Sequence, residues 1–110
     1  MAWEVLMNEK ALTAGTHWSE IVTLWDNKSH HAFEYKITGD GTVAVTPYTS
    51  ITGKNWVSNG TKVTGVGKTS GPDSDGVDNI PLSVKPSELI KFKVVVSTTD
   101  VVLTLWFTQK

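Results

Sequence analysis

The chain contains neither cysteine nor arginine. Without cysteine there is no disulfide, no thiolate metal site and no cysteine nucleophile. Stability must then come from packing and from association. Without arginine the chain lacks the planar fork that reads phosphate and guanine two bonds at a time. Ten lysines face eleven aspartates and glutamates, and the net charge of −1 gives no pull toward nucleic acid or an anionic membrane. Long apolar runs are also missing, and none approaches the roughly 20 residues that cross a bilayer as a helix. The opening "MAWEVLMNEK" has no basic start, and Glu4 interrupts its apolar stretch. It is not expected to act as a signal peptide, so the cytoplasm is the expected place of assembly.

What is present is alternation. In "AFEYKITGDGTVAVTPY", Phe33, Tyr35 and Ile37 share one face, while Glu34 and Lys36 share the other. Gly39-Asp40-Gly41 turns the chain, and Val43 and Val45 resume the pattern. Two period-2 runs around a glycine turn predict a hairpin. Pro47 cannot donate to a ladder and is expected to end its second strand. Near the C-terminus Ile90, Phe92, Val94 and Val96 alternate, then Val101, Leu103, Leu105 and Phe107 do so after Ser97 to Asp100. A second hairpin is expected there. Ile21 to Trp25 and Trp3 to Met7 read as strands, with a short amphipathic helix over Val5 to Leu12 as the rival to the latter. Trp56-Val57 opens another short strand. Thr61 to Gly76 reads as a long loop with an edge strand near Lys62 to Val66. Seven or eight short strands in 110 residues predict one domain, residues 1–110. The expected class is all-β, a single antiparallel β-sandwich of jelly-roll-like build.

Candidate chemistry is sparse. Asp73, Asp75 and Asp78 surround Gly76, a spacing that hard-cation loops use, but the EF-hand order and its distal glutamate are missing. A solvated turn is the expected state. His30 and His31 are adjacent, and on a strand they would point to opposite faces rather than to one ion. Glu20 with Asp26, or Glu34 with Asp40, can be paired on paper, yet no nucleophile, base or phosphate loop stands beside them. No catalytic residue, metal site or cofactor is expected.

Five tryptophans carry more information. If Leu103, Leu105 and Phe107 face the core, then Trp106 and Val102 face away from it, and Leu89 and Val95 fall on the outer side of the preceding strand. An outer face holding Trp106, Val102, Val95 and Leu89 is too apolar for water and predicts a protein interface. Trp56, Tyr48 and Trp18 form an alternative platform, on which sugar rings could stack.

The segment Ser50-Ile51-Thr52-Gly53-Lys54-Asn55-Trp56 is similar to the Asp-box hairpin, Ser-x-Asp-x-Gly-x-Thr-Trp. It departs from that pattern: Thr52 replaces the aspartate, the glycine comes early and one residue is missing. It also occurs once, where propeller glycosidases repeat it. A longer likeness rests on Gly39-x-Gly41-x-Val43, on Tyr48-x-Ser50-x-x-Gly53-x-x-Trp56, on "IPLSVKPSELIKFKVVVS" and on the terminal "VVLTLWFTQ". In these the chain resembles the small all-β structural proteins of tailed-bacteriophage heads, including capsid decoration (cement) proteins. The resemblance implies a non-enzymatic role on the outside of an icosahedral shell in the virion. It also implies contact with the major capsid protein and self-association, often as trimers. A carbohydrate-binding sandwich module using Trp56, Tyr48 and Trp18 is the alternative. A cupin-like enzyme of the same build would need a His/Glu metal cluster that the sequence does not offer.

Overall fold

The computed structural model describes residues 3–25, 28–83 and 87–110. Among these residues ten strands follow one another: β1 (Trp3–Leu12), β2 (Gly15–Trp18), β3 (Val22–Thr23), β4 (His31–Gly39), β5 (Thr42–Ser50), β6 (Val57–Ser58), β7 (Val63–Val66), β8 (Val77–Leu82), β9 (Leu89–Ser97) and β10 (Val101–Gln109). Among the described residues there is no helix. One sheet has the order β1-β10-β4-β8, the other β2-β9-β5-β6, with β3 also on β9 and β7 also on β5. All pairings are antiparallel.

β2 with β3, and β6 with β7, each act as one interrupted strand. The chain is then eight strands paired first with last, second with seventh, third with sixth and fourth with fifth. Rolling such a double ribbon into two layers yields a jelly roll. The two sheets share one core. Phe33, Tyr35 and Ile37 of β4 and Val101, Leu103, Leu105 and Phe107 of β10 come from the first sheet. Val43 and Val45 of β5 and Ile90, Phe92, Val94 and Val96 of β9 meet them from the second. The Phe92 ring lies 5.2 Å from Phe33 and 5.9 Å from Phe107, so it stitches the layers at their centre.

Two expectations are corrected here. β4 and β5 lie in different sheets, and so do β9 and β10. Neither pair is a hairpin; both are arches that carry the chain across the sandwich. An arch and a hairpin both turn over glycine or small polar residues, and both keep period-2 burial, so the pattern does not separate them. The two arches stack at one end. A methyl group on Gly41 would lie 2.0 Å from the Thr99 carbonyl oxygen, and one on Gly39 would lie 2.9 Å from that of Asp100.

Other boundaries also differ. β5 continues through Pro47 to Ser50. Asn59 donates its backbone N–H to the Pro47 carbonyl, so this residue's missing donor points to the same side. There β7 has ended and β6 has not begun, and no ladder bond is lost. The helical alternative over Val5 to Leu12 is replaced by the long strand β1, which is bulged between Val5 and Lys10. The bulge turns both Leu6 and Met7 inward. Its Glu9 N–H donates to Thr104 Oγ1 at 3.1 Å, which explains a buried threonine on an outward-facing register. β2 and β8 occupy stretches that alternation alone does not mark. β8 is an edge strand, which tolerates Pro81.

Candidate functional site

The outer face of the β2-β9-β5-β6 sheet gathers three aromatic rings around one lysine. Tyr48 on β5 pairs with Lys91 on β9, and Trp18 on β2 pairs with the neighbouring Lys93. The turn after β5 supplies the third ring. Ser50 Oγ accepts the Gly53 N–H at 2.8 Å, and Thr52 Oγ1 accepts that of Lys54 at 3.1 Å. Gly53 adopts a φ of 82°, in the left-handed region that glycine enters without penalty. The indole N–H of Trp56 donates to the Gly53 carbonyl at 3.2 Å, which fixes the ring against the turn. The Lys91 ammonium then stands 4.3 Å from the Trp18 ring centre and 4.4 Å from that of Trp56. Trp18 and Tyr48 meet edge to face at 5.2 Å. Trp56, Tyr48 and Trp18, separated in sequence, are thus neighbours. Lys91 is the member that sequence reasoning missed. Its signal was available: it alternates with buried Ile90 and Phe92, so it must point outward.

Opposite lies the outer face of β1-β10-β4-β8. Its register rows are Trp3–Thr108–Ala32–Pro81 and Val5–Trp106–Glu34–Asn79. Trp3, Ala32, Glu34, Asn79, Trp106 and Thr108 line an open groove of about 550 Å³. Trp3 is 50% exposed and Val5 38%, and Val102, 37% exposed, continues the apolar surface beside Ala11 and Thr38. Trp106 points outward as its alternation with Leu105 and Phe107 requires, and it is half-buried.

The four residues expected to share one interface do not. Trp106 and Val102 lie on this face, whereas Val95 and Leu89 belong to β9 and look out from the other side of the sandwich. The cause is the arch between β9 and β10: a hairpin would have kept outward residues of both strands together. Val95 sits between Thr16 and Ala44. Leu89 is half-buried under the Gly53 turn.

The titratable groups are spread out. Asp75 accepts the Val77 N–H and Asp78, on β8, the Asn79 N–H, so each carboxylate is engaged with backbone beside it. Among the described residues no three His, Cys, Asp or Glu side chains converge as metal ligands. His17 bonds the Thr13 carbonyl, His30 meets the Ser29 hydroxyl, and His31 stacks on Phe107. Burial, with the neighbouring His30 adding to it, lowers the pKa of His31. Glu34 lies beside Trp106, while Asp40 sits at the arch tip in an ion pair with Lys68 at 2.6 Å. Asp26 falls outside the described residues. No helix among the described residues is long and apolar enough to cross a membrane.

No protein-family model matches the chain, and no curated protein matches it.

Proposed function

We propose that this chain is a non-enzymatic virion structural protein that decorates an icosahedral phage head and stabilises it, attaching through the outer face of β1-β10-β4-β8. The observation that carries this reading is the outward apolar surface of Trp3, Val5, Trp106 and Val102. A sandwich needs only its inner faces for a core, so apolar side chains ranked across an outer face call for a second protein. Large rings with few rotamers anchor such contacts at low entropic cost. The partner is the major capsid protein, and self-association, as in a trimer, places several copies at one symmetry point of the shell.

The test is co-sedimentation of the purified protein with undecorated phage heads assembled from a major capsid protein. Wild type is expected to pellet with the shell and to raise its disruption temperature. Trp106→Ala should lose about 2 kcal/mol or more of attachment, and self-association, followed by sedimentation velocity, should fall with it. The mutant's near-ultraviolet circular dichroism should stay native. A monomeric wild type that binds no shell, or a Trp106→Ala chain that merely unfolds, refutes the assignment.

A further inference from the structure

The Trp18–Lys91–Trp56–Tyr48 cluster lies on the side of the sandwich away from the proposed shell contact, so that contact does not account for it. From this cluster we infer that the outer face of the β2-β9-β5-β6 sheet binds an acidic saccharide. Lys91 pairs with the sugar carboxylate, and the aromatic rings hold the pyranose.

The ligand class follows from what is assembled and from what is missing. On the outward register of β2, β9 and β5 stand Thr16, Trp18, Lys91, Lys93, Val95, Ala44, Thr46 and Tyr48. That row has two lysines and no carboxylate. Among the described residues no Asp or Glu lies within 4.0 Å of the Lys91 ammonium; the ion pair found there belongs to Lys68 and Asp40. Flanking indoles stabilise the cation and hold its stem in one place, yet they cannot neutralise it. An ammonium carries three donors, and two ring faces leave at least one for an acceptor arriving from solvent. A negatively charged acceptor makes the stronger bond.

Aromatic surface around that point selects the rest of the ligand. Trp18 keeps 44% of its surface in water, and Tyr48 and Trp56 are half-buried beside it. Flat, partly apolar walls suit the C–H face of a pyranose ring. Thr46 and Tyr48, each with a hydroxyl, stand on the same face as the two lysines. A bare inorganic anion would use Lys91 and leave the rings idle. Single-stranded nucleic acid would need a long cationic track along its backbone, but this face has only Lys91 and Lys93 on its central strands and the chain is net negative. A ligand cation is excluded because Lys91 already fills the space between the rings.

The decisive experiment titrates the full chain with three probes in low salt: oligogalacturonate, the matching neutral oligogalactose, and an oligothymidylate. Calorimetry and the tryptophan indole N–H signals in heteronuclear NMR report binding. Oligogalacturonate is expected to bind saturably and to shift the Trp18 and Trp56 signals. Neutral oligogalactose should bind about tenfold more weakly, since it lacks the charged acceptor. Lys91→Gln should weaken oligogalacturonate binding by about the same factor, while Lys91→Arg keeps it within a few-fold. Trp106→Ala should leave it unchanged, which separates this site from the shell contact. Equal binding of the acidic and neutral sugars overturns the role given to Lys91. Tighter binding of oligothymidylate, or competition by inorganic sulfate at the same concentration as the sugar, overturns the saccharide assignment. Absence of any binding overturns the inference as a whole.

Discussion

Gly41 tests whether the two arches stack. A Cβ at this position would stand 2.0 Å from the Thr99 carbonyl oxygen and 2.8 Å from Val101 Cγ1, where ordinary contact begins at 3.4 Å. The carbonyl would therefore have to retreat by about 1.4 Å. It has little room, because the Thr99 N–H is bonded to the Ser97 carbonyl and Val101 is held in register opposite Gly39. Overpacking a core costs about 1–3 kcal/mol, and a clash directed at backbone belongs at or above the top of that range. Gly41→Ala should thus lose about 3 kcal/mol, a large part of the 5–15 kcal/mol typical of a domain. At this chain length that lowers the Tm by about 12 °C. A true hairpin turn would have let the methyl point to solvent at a cost under about 1 kcal/mol. Gly65→Asn is the control: Gly65 has a φ of 62° with nothing within 4 Å of an added Cβ, and asparagine accepts that backbone. Urea titration followed by tryptophan fluorescence, with near-ultraviolet dichroism on heating, measures both. If Gly41→Ala stays within about 1 kcal/mol of wild type, the arches do not meet as described.

Phe92→Ala should cost about 4 kcal/mol in the same urea titration, because its ring is fully buried between Phe33 and Phe107 and no neighbour can fill the space. A loss below about 2 kcal/mol would mean that the layers close over the cavity. A pH dependence follows from His31, whose pKa is lowered from 6.5 by burial and by His30. The unfolded chain takes up this proton first as pH falls. Stability is therefore complete above 6.5 and declines as pH drops through that value toward the lower folded one. The urea midpoint should be lower at acid pH than at neutral pH, and His31→Gln should shrink the difference; an unchanged difference would exclude His31 as its source. Asp40, lowered by its hydrogen bond and charge pairing with Lys68, acts only below about 3.8 and does not blur this window.

The core was legible because burial in a strand repeats every second residue. Phe33, Tyr35, Ile37, Phe92, Val94, Leu103 and Leu105 all face inward as alternation requires. Alternation also placed Trp106 outward. What it leaves open is which sheet a strand joins, since that depends on pairing across many intervening residues and not on local pattern. That is why Val95 and Val102, on either side of the arch between β9 and β10, could be read as one face although they look out from opposite sides of the sandwich. Pro47 misled for a related reason. Its cost depends on whether a partner strand stands opposite its nitrogen, and the gap between β6 and β7 is a tertiary fact. Lys91 was legible in direction but not in company. Only the register of β2 and β5 on β9, together with the Gly53 turn, brings Trp18 and Trp56 to it.

The jelly roll gives the two candidate surfaces independence. Their outward side chains belong to different sheets, which pack about 10 Å apart, so a partner on one face leaves the other open. The charges differ accordingly. The aromatic groove of the first sheet holds Glu34 among its lining residues, and the aromatic cluster of the second is built on Lys91 with Lys93 alongside. Screening over about 8 Å at physiological salt keeps either field from reaching across the sandwich. A protein seated against Trp3 and Trp106 would therefore still present Trp18, Lys91 and Trp56 to the surroundings. Under the proposed shell attachment, such a layout points the cationic aromatic cluster away from the shell, where the proposed acidic glycan would reach it.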